Sequence, residues 1–230
     1  MNDTADTYLR TIRSFVKRAG RMTGAQKQAM EQLWPRFGLE LQAGPLVPAE
    51  VFGRQAPLVL EIGFGMGDSL IAMAQQHPEW DYVGVEVYPP GIGNLLKLAE
   101  ADAVDNLRVY EADAKEVLNQ AVADASLDRI QIFFPDPWHK KKHHKRRLIQ
   151  PDFVAELRSK LKPGGILHLA TDWEHYALQM MEVLSQAPGM RNCQGVGQWA
   201  VEHGRSGTKF ERRGQRLGHG VWDLLFERID

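Results

Sequence analysis

The chain has 230 residues, a length that suits one α/β domain with a short appended segment. Apolar residues make up 43% and charged residues 25%, which excludes a disordered protein, and no apolar run approaches the ~18 residues that a membrane span needs. The single cysteine, Cys193, excludes an internal disulfide and a cysteine-based metal site. With no signal-peptide pattern at the N-terminus, it predicts a cytoplasmic protein.

The strands and helices that the sequence predicts alternate from residue 58 onward. Residues 1–50 are expected to form a basic N-terminal arm with one or two short helices, and residues 51–230 a single domain. The predicted strands cover residues 58–62, 82–87, 107–110, 130–134, 166–170 and 221–226, and the predicted helices cover 68–77, 91–102, 114–123, 151–161 and 174–187. This alternation predicts a doubly wound α/β fold, with a parallel sheet covered by helices on both faces.

The net charge of −1 hides a strong segregation of charge along the chain. Residues 37–138 carry five Lys or Arg against sixteen acids. Three other segments are basic, with seven against one in residues 10–36, six against none in 139–147, and five against one in 205–216. One basic run is commonly solvated surface, but three beside an acidic body indicate a polyanionic partner.

A glycine-rich turn and three acids are predicted to meet at one edge of the sheet. The segment Glu61–Gly67 (EIGFGMG) joins the first strand to its helix, Glu86 lies near the end of the second strand, and Asp113 follows the third. The carboxyl ends of parallel strands share an edge, which is where open α/β sheets bind ligands. Three acids disfavour a pyrophosphate there and favour a cationic ligand.

A second motif follows the fourth strand and carries the candidate chemistry. Pro135 and Pro137 stiffen the turn around Asp136 and hold that carboxylate in place. The basic segment 139–147 comes next and contains three histidines. No acid or cysteine accompanies them, and the neighbouring lysines would repel a cation, so we expect phosphate contacts and no metal site.

From residue 55 onward, the glycine spacing and the acids resemble the class I S-adenosyl-L-methionine-dependent methyltransferases. The resemblance implies a Rossmann-like, seven-stranded and mainly parallel sheet whose last strand is antiparallel. It assigns Gly63 and Gly65 to the methionine part of the cofactor, Glu86 to the ribose and Asp113 to the adenine amino group. It places Glu61 near the methionine ammonium.

The motif Pro135–Trp138 narrows the resemblance, together with Lys140, Lys145–Arg147, the segment Glu86–Gly93 and the segment Thr208–Gly214. This ordered set resembles the bacterial tRNA (guanine-N7-)-methyltransferase family, which forms 7-methylguanosine at position 46 of the tRNA variable loop. The consecutive lysines 140–142 depart from the expected, less basic stretch.

That resemblance implies a catalytic role for Asp136, which would also border the cofactor. It implies substrate contacts by Lys140, Asp172, Thr208, Lys209, Phe210 and Glu211. It implies RNA contacts by Lys142, His143, His144, Lys145, Arg146 and Arg147. The expected partner is tRNA, with no membrane and no metal, for a monomer or homodimer.

Three other functions remain open at this point. The first is an S-adenosylmethionine-dependent methyltransferase acting on another RNA, a protein or a small-molecule nitrogen nucleophile, for which substrate binding would depend little on salt if the substrate is uncharged. The second is a non-catalytic RNA-binding module, which would not bind the cofactor. The third is a nicotinamide dehydrogenase, which the glycine spacing and the acidic edge disfavour.

Overall fold

The computed structural model describes residues 20–201, 204–205 and 220–230. The helices are α1 (Gly24–Phe37), α2 (Pro48–Phe52), α3 (Asp68–Gln76), α4 (Pro89–Ala101), α5 (Ala114–Gln120), α6 (Pro151–Lys160) and α7 (Glu174–Gln186). The strands are β1 (Gly38–Leu39), β2 (Leu58–Ile62), β3 (Asp81–Glu86), β4 (Leu107–Glu111), β5 (Leu127–Phe133), β6 (Leu161–Thr171), β7 (Met190–Asn192) and β8 (Trp222–Arg228). Two short 3-10 helices cover Leu41–Ala43 and Lys141–Arg146.

These strands form one sheet in the order β1-β4-β3-β2-β5-β6-β8-β7. The strands from β1 to β6 pair in parallel, and β8 pairs antiparallel with both β6 and β7. The predicted doubly wound, Rossmann-like fold with an antiparallel last strand is therefore confirmed. The resemblance implied seven strands, and the sheet has an eighth, the edge strand β1. Neither β1, with two residues, nor β7, with three, was among the strands predicted from the residues, because such short strands show no hydrophobic period.

The core lies on both faces of this sheet. All five residues of β2 are buried. Because successive side chains point to opposite faces, Val59 packs in one hydrophobic cluster and Leu60 in the other. A continuous apolar run such as 58–62 is what a strand covered on both faces requires. None of the helices in the described part of the chain has the length and hydropathy that crossing a membrane demands.

Helix α1 belongs to the body of the domain. Its N-terminus is fixed by a capping box, in which Thr23 Oγ1 accepts from Gln26 N at 3.3 Å and Gln26 Oε1 accepts from Thr23 N at 2.9 Å. The helix packs against α4, where a Cβ on Gly93 would come within 2.7 Å of the Gln26 carbonyl oxygen, and Phe37 is fully buried. This helix lies within the predicted arm of residues 1–50, whose residues 1–19 lie outside the described residues.

Candidate active site

The glycine turn after β2 has open space beside two of its backbone positions, since a Cβ on Gly63 or Gly65 would meet nothing within 4 Å. Gly63 and Gly65 have φ values of 76° and 60°, in the left-handed region that other residues avoid. A Cβ on Gly91, in the first turn of α4, would lie 2.0 Å from the Gly65 carbonyl oxygen. The turn therefore packs directly on the first turn of α4, and the absence of a side chain on Gly91 allows that contact.

Glu86 joins the end of β3 to the glycine turn. Its Oε2 accepts a hydrogen bond from Gly65 N at 2.8 Å, and its Oε1 accepts from Val87 N at 2.7 Å and from Tyr88 N at 3.1 Å. Burial raises the pKa of this carboxyl group, and these three backbone donors oppose the rise. The two predicted cofactor elements, the turn and the acid, are thus brought together.

Glu61 lies within β2 and is buried between its neighbours in the sheet, in register with Gly84 of β3 and Gln131 of β5. With the Gln131 amide oriented to satisfy both of its neighbours, its nitrogen donates to Glu61 Oε2 at 3.1 Å and its oxygen accepts from Arg129 Nε at 3.0 Å. Burial, and secondarily the charge of Glu86, raises the pKa of Glu61 to about 8. An ammonium group placed beside Glu61 would reverse that shift and favour the carboxylate.

Asp113 follows β4 and caps α5, because its Oδ1 accepts from Lys115 N at 2.8 Å. The residues directly before it, Tyr110–Ala112, line a cavity of about 340 Å³ that is also lined by Met30 and Trp34 of α1. The edge predicted for the adenine therefore has a hollow next to it. Part of its lining comes from a helix that the sequence did not associate with the site.

The turn that carries Asp136 leaves β5 beside the end of β6. The Phe134 amide donates to the Ala170 carbonyl at 2.8 Å, and Asp136 and Asp172 each lie two residues beyond that pair, on the loops that follow the neighbouring strands β5 and β6. The loops after the two strands also meet through His139 and Trp173, whose rings stack edge to face at 4.3 Å. The structure thus brings the predicted catalytic acid and a predicted substrate acid to adjacent positions.

Most of the predicted RNA contacts lie on the 3-10 helix Lys141–Arg146, beside that turn. Lys140, Lys142 and Lys145 are exposed, and His143 and His144 are half-buried. Arg146 stacks on the Trp138 ring at 3.9 Å, so this cation is attached to the turn itself. The basic surface is therefore continuous with the turn that carries Asp136.

Arg147 is placed differently from its neighbours in the basic segment. Its side chain is only 2% exposed, and its guanidinium bonds to protein groups: Nε donates to the Pro137 carbonyl at 2.8 Å, and Nη1 donates to Gln179. The expectation that Arg147 contacts RNA is therefore corrected, because its hydrogen-bonding groups face inward. Its sequence position inside a basic run gave the opposite indication.

A cluster of buried polar side chains, which the sequence did not predict, is centred on β6 and β8. His168 on β6 accepts from Arg129 at Nδ1 and donates from Nε2 to Asp223 on β8, both at 2.7 Å. Burial lowers the pKa of His168 to about 4, which keeps the ring neutral and suits this tautomer. Arg205 completes the group by pairing with Asp223, and its guanidinium lies 5.3 Å from the Phe134 ring. These partners are far apart in sequence, so no local pattern identifies them.

Four of the expected substrate contacts, Thr208, Lys209, Phe210 and Glu211, lie outside the described residues. Within the described residues, no group of three or more His, Cys, Asp or Glu side chains is arranged to hold a metal ion.

The sheet order, the glycine turn and the acids at one edge define a class I methyltransferase. A family profile described as "Putative methyltransferase" matches residues 55–224. The chain resembles a solved 16S rRNA (adenine(1408)-N(1))-methyltransferase from Catenulisporales acidiphilia with a TM-score of 0.55 and 17% identity, over 84% of this chain and 92% of that one. A SAM-dependent methyltransferase from Aquifex aeolicus gives a TM-score of 0.52 at 14% identity, over 89% and 98% of the two chains. At these identities, the likeness supports the fold alone.

Curated relatives are much closer in sequence. The tRNA (guanine-N(7)-)-methyltransferase of Saccharophagus degradans is 58% identical over 220 residues, 95% of this chain and 96% of the relative. That of Pseudoalteromonas atlantica is 56% identical over 223 residues, 96% of this chain and 93% of the relative. The chain belongs to the family of bacterial tRNA (guanine-N(7)-)-methyltransferases.

Proposed function

We propose that this protein transfers a methyl group from S-adenosylmethionine to N7 of a guanine in the variable loop of tRNA. The observation that carries the proposal is the placement of Asp136. It lies on a stiff turn at the carboxyl end of β5, on the sheet edge that carries the glycine turn, and it leads directly into the basic 3-10 helix. The 56–58% identity to relatives of this activity, over nearly the whole chain, supports the same function.

The residues at the edge fit S-adenosylmethionine. Gly63 and Gly65 allow the methionine part to approach the backbone, Glu61 would face its ammonium, and Glu86 and Asp113 would hold the ribose and the adenine. When bound, the cofactor supplies a methyl group on a sulfonium, which is an electrophile. An acidic edge suits this ligand because both the ammonium and the sulfonium are cationic.

Guanine N7 has a free lone pair at neutral pH, so the protein need not remove a proton before the methyl group is transferred. Catalysis then depends on holding N7 in line with the methyl group. The Asp136 carboxylate can accept hydrogen bonds from guanine N1–H and the exocyclic amine, which selects guanine and orients its ring. The same charge offsets the positive charge that develops on the methylated base.

The basic residues beside the turn would bind the tRNA backbone. Lys140, Lys142 and Lys145 are exposed and would contact phosphates, and Asp172, on the loop after β6, would contact the target nucleotide. The target base takes part in tertiary pairing within folded tRNA, so it must be unstacked before it can reach Asp136.

Incubation with labelled S-adenosylmethionine and unmodified tRNA, followed by nucleoside analysis, tests this proposal. We expect label in 7-methylguanosine, located in the variable loop by sequencing the labelled fragment. Label in a different nucleoside would keep the methyltransferase activity and overturn the specificity. Absence of label, together with no cofactor binding by calorimetry, would favour a non-catalytic RNA-binding module.

Salt dependence separates tRNA from a small uncharged substrate. For a tRNA-binding surface with Z phosphate contacts, the logarithm of the binding constant should fall linearly with the logarithm of the salt concentration, with a slope of about −0.7Z to −0.9Z. We expect a steep fall of tRNA affinity between about 50 and 200 mM salt, and a flat response would contradict the proposed substrate.

We further propose that the protein acts in the cytoplasm, where tRNA is modified and where a single cysteine such as Cys193 stays reduced. A monomer and a homodimer both remain compatible with the proposal, and light scattering with and without tRNA would distinguish them.

A further inference from the structure

Arg147 is the buried cation at the end of the basic segment, and its surroundings differ from those of a nucleic-acid contact. It is among the largest fully buried side chains of the described residues. The residue before it, Arg146, stacks on Trp138, and the residue before that, Lys145, is exposed. Of these three consecutive cationic side chains, only that of Arg147 is therefore turned inward.

The inward guanidinium is fixed from several directions. Arg147 Nε donates to the Pro137 carbonyl oxygen at 2.8 Å, and its guanidinium lies 4.7 Å from the Tyr176 ring. Nη1 donates to Gln179 Oε1, while Gln179 Nε2 donates to the Ile149 carbonyl at 3.3 Å. A planar, multidentate side chain held in this way has one orientation.

Two histidines complete the surroundings of this guanidinium. Arg147 Nη2 lies 3.2 Å from His144 Nε2, and Nη1 lies 3.2 Å from His175 Nδ1. Burial, and next the charge of Arg147, lowers the pKa of His144, so that ring stays neutral and able to accept. The arginine therefore ties the basic helix to α7 as well as to the turn.

The turn that contains Pro137 needs such support. Phe134 and Trp138, which bracket it, have φ values of 51° and 46°, a left-handed backbone that non-glycine residues adopt only where the surroundings enforce it. Pro135 and Pro137 have no N–H to donate. The hydrogen bond from Arg147 to Pro137 is thus a tertiary restraint on the segment that carries Asp136.

We propose that Arg147 is a positioning residue of the methyl-transfer site, which acts through the Pro137 carbonyl to hold Asp136 in line with the cofactor edge and does not bind RNA phosphate. The inference rests on the proposed function, since it concerns the geometry of the same reaction. The role of Arg147 then differs from that of the exposed lysines of the same segment, which contribute to tRNA affinity.

Three variants test the proposal. Arg147→Met removes the hydrogen bond to the Pro137 carbonyl, and Gln179→Met removes the side chain that orients the Arg147 guanidinium. Lys145→Met removes a neighbouring exposed charge. For each, kcat at saturating tRNA, tRNA Kd as a function of salt, and S-adenosylmethionine Kd are measured at a temperature where circular dichroism shows a folded protein. Hydrogen–deuterium exchange of the peptide covering residues 134–146 is followed in parallel.

We expect Arg147→Met to lower kcat about 30- to 100-fold, the scale of a misplaced catalytic group, with tRNA Kd and its salt slope unchanged. Gln179→Met should give a smaller loss of kcat with the same pattern. Lys145→Met should weaken tRNA binding and reduce the magnitude of the salt slope by about 1, as one lost phosphate contact does.

A reduced salt slope with preserved kcat in Arg147→Met would overturn the proposal in favour of a phosphate contact. A parallel loss of cofactor affinity and kcat in Arg147→Met and Gln179→Met would also overturn it, because it would indicate general damage. If the wild-type protein methylates no tRNA, the proposed function fails. The restraint that Arg147 places on the turn is then judged by hydrogen–deuterium exchange alone. Faster exchange of residues 134–146 in Arg147→Met and Gln179→Met would support it, and unchanged exchange would refute it.

Discussion

Arg205 and Asp223 form a two-point ion pair in the interior of the protein, with Arg205 Nε 2.7 Å from Asp223 Oδ1 and Nη2 2.8 Å from Oδ2. Both side chains are at least 97% buried, and Asp223 also accepts from His168. Burial alone would raise the pKa of Asp223, but the hydrogen bonds from Arg205 and His168 outweigh it and lower the pKa to about 2. The pair therefore holds a carboxylate charged behind the active-site turn.

Removing one partner of this pair should be costly. Arg205→Met leaves the Asp223 carboxylate buried without its main counter-charge, and we expect a loss of about 3–5 kcal/mol in the free energy of unfolding, measured by urea denaturation. Arg191→Met is the control, because Arg191 pairs with Glu227 on the same strand but at the surface. A similar shift of the denaturation midpoint in both variants would contradict the expectation that the buried ion pair contributes more to stability than the surface ion pair.

Replacing the catalytic acid should affect turnover and leave the fold intact. We expect Asp136→Ala to bind S-adenosylmethionine normally but to methylate tRNA at least ~100-fold more slowly, a loss of ~2.7 kcal/mol in transition-state stabilisation. Steady-state kinetics with calorimetry of cofactor binding provides the measurement. Asp124→Ala, at the amino end of β5 on the opposite edge of the sheet, should keep its rate, and near-normal turnover of Asp136→Ala would refute the assignment.

Glu61 should make the stability of the cofactor-free protein depend on pH. Its pKa is raised to about 8 in the folded state from an ordinary value of 4.5, so the folded protein binds the proton more tightly. The unfolding free energy should therefore be highest below about pH 4.5 with respect to this group. It should then fall by up to about 1.4 kcal/mol per pH unit until pH passes about 8. Glu61→Gln removes this dependence, so unfolding curves of the two proteins should diverge as pH rises; parallel curves would count against the shifted pKa.

The same carboxyl group should release a proton when the cofactor binds. At pH 7 Glu61 is mostly protonated, and the ammonium of the cofactor favours its ionised form. Calorimetric binding enthalpies measured in buffers of different ionisation enthalpy should show proton release on the order of one per site in the wild type, and none in Glu61→Gln. Equal enthalpies in all buffers for the wild type would show that Glu61 does not face the ammonium.

The contact between the glycine turn and α4 gives a steric prediction. A Cβ on Gly91 would lie 2.0 Å from the Gly65 carbonyl oxygen, so Gly91→Ala must displace the turn. We expect a rise of about 10-fold in S-adenosylmethionine Kd, or ~1.4 kcal/mol. Gly24→Ala, where a Cβ would meet nothing within 4 Å, should leave the Kd unchanged. Equal affinities for the two variants would show that the turn relaxes without cost.

Several elements were predictable because their cause is local. The strand Leu58–Ile62 matched its apolar run, and α6 began at Pro151 because proline suits the first helical position. The start of α1 was not predicted, because glycine is unfavourable within a helix. The capping box formed by Thr23 and Gln26 makes Gly24 the first residue of α1.

The alternation of strands and helices and the position of the glycine turn could be predicted from the amino-acid sequence. So could the placement of Glu61, Glu86, Asp113 and Asp136 at one edge of the sheet. Apolar periodicity specifies each element, and parallel strands place their carboxyl ends together. Which side chains of the basic segment 139–147 face solvent, and which bond to other parts of the protein, depends on the packing of the folded chain. The local sequence does not distinguish Arg147 from Lys145, because both are cationic residues of the same basic segment. They differ because the partners of Arg147, on α7 and on the turn, are brought near it by the packing of the whole chain.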